Sequence, residues 1–256
     1  MKKDNKNKLA IVLIVVLAAT FYAATLRGVT GNADAPEEYG RLAGITKPFE
    51  TSHERASYMQ MLAVKEGSLT LSKAQADFGA PDVGLYKGRF YSYFPPGVSF
   101  SVIPLYSIGT QYNLGQIFSY ATISLFAILS LILIFKITRE GFRMPIWASL
   151  FAVLVFAFGS TAWSYSITIY QHMITVFLVL FAFYSAWKFK QKTRFSWLWG
   201  MSFWFTYGIS WFFDYPNAII LLPLVIYFLL ASLSFETTST KWRAKLRVSL
   251  LATSVV

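Results

Sequence analysis

The 256-residue chain has no cysteine, two histidines and only 14% charged residues. Without cysteine there are no disulfides, no thiolate zinc site and no cysteine nucleophile. His53 and His172 lie far apart in sequence, so no histidine metal site is indicated. Carboxylates leave a divalent cation open, but no spacing calls for one. A soluble domain is about a quarter charged, and the shortfall here excludes an ordinary soluble enzyme. Negative charge is scarcer still, with 12 Asp and Glu against 23 Lys and Arg and a net charge of +11. Such a balance alone suggests a nucleic-acid partner, and the placement of the positive charges has to decide. There is no internal repeat and no low-complexity tract.

Apolar residues are abundant: 55% are hydrophobic, 18% are aromatic, and the mean hydropathy is +0.49. A bilayer core needs about 20 mostly apolar residues in a helix. One such run extends from Leu9 to about Leu26, and a polar segment follows from Arg27 to Gly115. Further runs cover Gln116 to Phe135, Pro145 to Trp163, Ile167 to Trp187, Ser196 to Phe213 and Asn217 to Leu233. Another begins near Val248 and is cut at Val256, so the native chain is expected to continue.

The connections carry the orientation. Lys2, Lys3, Lys6 and Lys8 precede the first run, and Lys136, Arg139 and Arg143 separate the second from the third. Lys188, Lys190, Lys192 and Arg194 follow the fourth, and Lys241, Arg243, Lys245 and Arg247 follow the sixth. Alternate connections face one side, and the positive-inside rule makes that side the cytoplasm. The positive charge is thus a topology signal spread over short loops, and nucleic acid is not an expected partner. The expected fold is an all-α polytopic membrane protein of the cell membrane. Residues 1–26 form an anchor, 27–115 an extracytoplasmic loop with interfacial helices, and 116–256 a transmembrane bundle. A cleaved signal peptide is the other reading of the first run, with Ala23-Ala24 near its end; its length favours a retained anchor.

Chemistry is expected in the outer segment. Pro48 to Gly67 reads as an amphipathic helix lying on the membrane surface, with Thr51 and Glu54 spaced as a capping box. Leu85 to Tyr91 reads as a small hairpin turning at Lys87-Gly88. Pro95-Pro96-Gly97 breaks regular structure. Val98 to Ile108 is too short to span, carries Pro104, and suits a re-entrant or interfacial helix.

This order of an anchor, a long outer loop, an aromatic-Pro-Pro segment and a polytopic bundle resembles the GT-C glycosyltransferases. The likeness is to the protein O-mannosyltransferase and lipid A aminoarabinose transferase type. Glu54-Arg55-Ala56-Ser57-Tyr58 is similar to the family's Asp-Glu-x-x-Tyr, with Glu54 at the Asp position and Arg55 in place of the second acid. In a register shifted by one residue, His53 and Glu54 take those two places. Gly88 to Gly97 is similar to the family's Gly-x-x-Tyr-x-x-x-Pro-Pro segment, with Phe94 where a basic residue often precedes Pro-Pro. The later spans that help hold the donor in the family are absent from this sequence.

The resemblance implies transfer of a sugar from a polyprenyl phosphate to an acceptor hydroxyl on the outer face, with inversion and without an organic cofactor. A carboxylate deprotonates the acceptor, cations steady the phosphate, and the membrane surface orients both substrates. Glu54 is the expected base, and the competing reading is a simple helix cap. Arg55, Lys87 and Arg89 are the phosphate candidates, with Tyr58, Asp82, Tyr91 and His172 as further substrate-binding candidates. Solvated loop charge, interfacial anchoring, turn formation and interhelical hydrogen bonding are their structural counterparts. Expected partners are a lipid-linked sugar, membrane lipids and an acceptor that is a glycolipid, a cell-wall polymer or a protein. Two other functions stay open: a transporter or flippase for a lipid-linked sugar, and a non-catalytic scaffold. A transporter calls for mid-span ionisable residues and paired repeats, and the sequence has neither.

Overall fold

The computed structural model describes residues 2–30, 49–191, 194–238 and 241–246. The chain is mostly helical and divides into two compact units, residues 1–177 with 212–214, and residues 178–211 with 215–256. In order the elements are α1 (Lys2–Thr25), α2 (Ser52–Lys65), α3 (Lys73–Gly79), β1 (Val83–Tyr86), β2 (Arg89–Ser92), α4 (Gly97–Thr110) and α5 (Gly115–Lys136). Helix α5 runs on through a π-helical turn, Ile137–Gly141. There follow α6 (Ile146–Phe158), α7 (Ala162–Ser166), α8 (His172–Lys190), α9 (Ser196–Phe213), α10 (Asn217–Ile220) and α11 (Leu222–Ser232). An antiparallel pair, β3 (Leu233–Thr238) and β4 (Lys241–Leu246), comes last.

Three helices are long and apolar enough to cross a membrane: Asn5–Thr25, Gly115–Gly141 and His172–Lys190. The six complete runs read from the sequence therefore do not all become full-length spans among the described residues. Helix α6 has 13 residues, about 20 Å at the helical rise, against a hydrocarbon core of about 30 Å. Its run ends where Gly159 and Ser160 break the helix. Helix α9 matches its expected limits, but four tryptophans and several small polar residues dilute its hydropathy. The run from Asn217 divides into α10 and α11. The expected span from Val248 lies outside the described residues.

In the first unit, α1, α5 and α6 pack side by side. Asn7 near the start of α1 accepts a hydrogen bond from Arg139 Nε at 3.2 Å. At the opposite end, Trp163 Nε1 donates to Thr25 Oγ1 at 3.2 Å, and the Val29 amide donates to Gln116 Oε1 at 2.8 Å. The ends carrying Asn7 and Arg139 thus share one side, and the segment after α1 leaves from the other. In the second unit, Phe203 and Phe228 stack at 4.4 Å between ring centroids, beside buried Ala182, Ala186 and Leu221.

Helix α2 departs from its expected place on a lipid surface. It packs against α3, α4 and β2, and every residue from Ala56 to Ala63 is buried. The polar side chains of that stretch are satisfied by protein: Ser99 Oγ donates to Gln60 Oε1 at 2.8 Å, and Gln60 Nε2 donates to the Phe94 carbonyl at 3.2 Å. Neighbouring elements have taken the place that lipid would have filled. The expected hairpin forms, with Lys87 and Gly88 at φ +48° and +75° between β1 and β2. Val98 to Ile108 lies within α4, which packs chiefly on α5.

Helix α4 begins in close contact with residues 212–213. A Cβ added at Gly97 would stand 2.5 Å from the Phe212 carbonyl oxygen and 2.9 Å from Phe213 Cα. Backbone cannot move aside as a side-chain tip can, so overpacking is costly. Gly97→Ala is expected to lower unfolding free energy by about 1–3 kcal/mol. Gly208→Ala, in α9 with no atom within 4 Å of the added Cβ, should be neutral or stabilise by up to about 1 kcal/mol. Thermal unfolding in detergent compares the two variants.

Candidate functional site

The site forms where the start of α2 meets the segment leading into α8. Thr51 is extended, at φ −134° and ψ 164°, and its Oγ1 accepts from the Glu54 amide at 3.3 Å. The reciprocal half of the expected capping box is not made. The Glu54 carboxylate turns further back, and its Oε2 accepts from the Glu50 amide at 2.7 Å. The Thr51 hydroxyl also shares a 2.7 Å hydrogen bond with the Tyr170 hydroxyl, which ties α2 to the segment before α8.

Glu54 is 0% exposed. Arg27 Nη1 lies 3.8 Å from its Oε1, and the same guanidinium pairs with Glu50. Gly28, at φ +114°, packs close on the backbone of Ile117, which fixes the chain direction beside Arg27. Glu54 Oε1 has no hydrogen-bond donor among the described residues. Burial holds the carboxyl above its ordinary range; the backbone at Glu50, the Arg27 charge and the backbone at Ile169 pull the other way. The result is a carboxylate with raised proton affinity and an open acceptor position.

Two imidazoles are coupled to each other nearby, His53 next in sequence to Glu54 and His172 at the start of α8. His53 stacks on Phe94 at 3.5 Å and 7°, with Tyr170 at 4.6 Å on its flank. Its Nε2 is buried and has no partner among the described residues. Burial first, then the electrostatic influence of His172, pushes His53 down to about 4, with Asp82 partly offsetting them. His172 is exposed and meets Tyr165 edge-on at 4.9 Å. Tyr170 is raised by burial, although its bond to Thr51 lowers it. Next in sequence, Gln171 donates from Nε2 to Asp214 Oδ2 at 3.4 Å, and its Oε1 is a further unpartnered buried acceptor.

The other candidates are distributed differently. Arg55 is used within the fold: its Nε donates to the Phe78 carbonyl at 2.8 Å and its Nη2 to the Ala80 carbonyl at 3.2 Å. It therefore braces the loop after α3. Tyr58 is 1% exposed and packs edge-on against Tyr106 at 6.0 Å, so it belongs to the core. Asp82, half-buried, stands at the base of the hairpin within electrostatic reach of His53. Tyr91 pairs opposite Gly84. Lys87 and Arg89 sit at the exposed tip, about 13 Å from the hairpin base at the strand rise.

The structure thus sets Asp82 and His172 within electrostatic reach of His53, next in sequence to Glu54, and leaves Lys87 and Arg89 at the hairpin tip. It adds Arg27, Glu50, His53 and Tyr170. A cation directly after an apolar run was the one available signal for Arg27. Nothing in sequence linked Tyr170 to Thr51. Among the described residues no three His, Asp or Glu side chains come together to hold a metal ion. No protein family, curated protein or solved structure matches the chain.

The arrangement has a pH signature. The depressed His53 gives stability that is present above its ordinary value of 6.5 and lost as pH falls through about 4. The raised Glu54 has the opposite sign: its contribution is present below the ordinary carboxyl range and lost as pH rises through its folded value. Relative to His53→Gln, the wild type should lose stability between pH 6.5 and about 4. Thermal unfolding of both proteins across this range measures the difference.

Proposed function

We propose that this chain is a multi-pass membrane glycosyltransferase with its N-terminus in the cytoplasm and its site on the outer face. It moves a sugar from a polyprenyl phosphate to an acceptor hydroxyl. The observation that carries the reading is Glu54, a buried carboxylate with raised proton affinity whose Oε1 has no hydrogen-bond donor among the described residues. It lies beside Arg27, at the end of α1 opposite Asn7 and Arg139. The alternation of basic connections supports placing that end outside.

The acceptor hydroxyl donates to Glu54 Oε1 as its oxygen attacks the anomeric carbon. The bond from that carbon to the phosphate oxygen breaks, the lipid phosphate leaves with the electron pair, and Glu54 keeps the proton. Arg27 is the cation nearest the carboxylate and takes the phosphate-steadying role, since Arg55 is engaged with backbone carbonyls. Because Glu54 is fully buried, the acceptor reaches it only when neighbouring groups move aside. A dry site strengthens both the base and the cation.

A second reading has its own observation. A buried carboxylate locked to Arg27 and to the Glu50 amide also describes a purely structural brace in a non-catalytic membrane protein. Transfer from a panel of polyprenyl-phosphate sugars, in lipid nanodiscs, separates the two. Glu54→Gln keeps the shape and removes the base, and is expected to reduce transfer by about 10²–10⁴-fold with the fold retained by circular dichroism. Undiminished transfer by the variant overturns the base role. Folded wild-type protein that transfers from no donor overturns the enzyme reading in favour of the brace.

A further inference from the structure

The β1–β2 hairpin ends in an exposed tip. All five residues from Leu85 to Arg89 are exposed. Leu85 is 65% and Tyr86 62% exposed, and Tyr93, nearer the base, is 65% exposed. Large apolar groups at such exposure cost free energy in water. Tyr93 lies flat against the hairpin, since a Cβ at Gly84 would meet its ring at 2.8 Å. The Tyr93 amide donates to the Asp82 carbonyl at the base, at 3.1 Å, and the Leu71 amide donates to the Phe90 carbonyl just behind the tip, at 2.9 Å. The turn carries positive charge only: Lys87 Nζ rests over the Tyr86 ring at 5.2 Å. Neither Lys87 nor Arg89 forms an ion pair among the described residues.

Leucine and tyrosine interleaved with unpaired cations make the composition of a membrane-interface element. Tyrosine favours the headgroup level, a leucine reaches the acyl boundary, and lysine and arginine attract phosphate. The same unit contains two of the helices able to cross a membrane. A soluble anion would satisfy the cations but leave Leu85 and Tyr86 wet. A lipid surface satisfies both. We infer that the Leu85–Arg89 finger docks onto the membrane interface by inserting Leu85 and Tyr86 among lipids and pairing Lys87 and Arg89 with anionic headgroups. This inference rests on the membrane spans and not on transfer chemistry, so its failure leaves the role of Glu54 untouched.

The absence of cysteine allows a single reporter. Leu85→Cys, labelled with a polarity-sensitive dye, is placed in nanodiscs of phosphatidylcholine alone or mixed with phosphatidylglycerol. A blue shift is expected, with quenching by lipids brominated near the headgroup, both growing with the phosphatidylglycerol fraction. Adding Lys87→Gln and Arg89→Gln should remove that growth while circular dichroism stays unchanged. Emission characteristic of water in both discs overturns the docking. A blue shift indifferent to phosphatidylglycerol and to the double substitution overturns the headgroup pairing. A shift produced by inorganic phosphate in detergent assigns the cations to a soluble anion instead. One that grows with protein concentration in lipid-free detergent assigns the finger to a second copy. Either result overturns the proposal.

Discussion

The end of the first unit that carries Arg27 depends on keeping one carboxylate out of water. Taking a charge from water into protein costs several kcal/mol even after relaxation. The Glu54 carboxylate meets that cost with the Glu50 amide and the Arg27 guanidinium. Each of these is fixed by something else. Arg27 follows directly on α1, beside the tight approach of Gly28 to α5. Glu50 and Thr51 are fixed by the helix start, and Thr51 by its bond to Tyr170. A single buried charge therefore ties together the end of the first span, the start of α2 and the approach to α8. Removing one partner of such a pair typically costs about 3–5 kcal/mol.

The same arrangement has a chemical consequence. Burial raises the proton affinity of this carboxyl, while the Glu50 amide, the Arg27 charge and the backbone at Ile169 lower it. Burial and His172 lower the proton affinity of His53, and Arg27 supplies a fixed positive charge beside Glu54. The two buried groups are thus shifted in opposite directions by their surroundings. The hairpin is separate from this site. Its base closes beside Asp82 and Phe94, near His53, while its tip residues are exposed.

Local sequence rules worked where the cause is local. The Lys87-Gly88 turn forms because two consecutive positive φ angles suit the twist of a two-residue hairpin. The Thr51 cap forms because a hydroxyl beside orphan amides has an obvious acceptor role. Helix α9 keeps its expected limits, with Asp214 and Pro216 beyond its end. Rules failed where the answer lay in distant chain. The apolar face of α2 reads equally well as lipid-facing or protein-facing, and α3, α4 and β2 decided for protein. Arg55 reads as a free cation because the carbonyls of Phe78 and Ala80 that claim it lie more than twenty residues away. Apolar runs likewise give an upper bound on spans: length and hydropathy pass three helices, while α6 stops at Gly159, tryptophans dilute α9, and the run from Asn217 divides into α10 and α11.

By itself the sequence determined a helical chain rich in apolar runs, the grouping of positive charge into alternate connections, the hairpin, and Glu54 as a residue of interest. These follow from composition and from interactions within a few residues, which any tertiary context preserves. Only the tertiary structure decided which charges meet. Arg27 and Glu54, His53 and His172, and Thr51 and Tyr170 are brought together by the packing of α1, α2, α5 and the approach to α8. Desolvation, which sets the proton affinity of Glu54 and His53, is a property of that packing and has no counterpart in the order of residues along the chain.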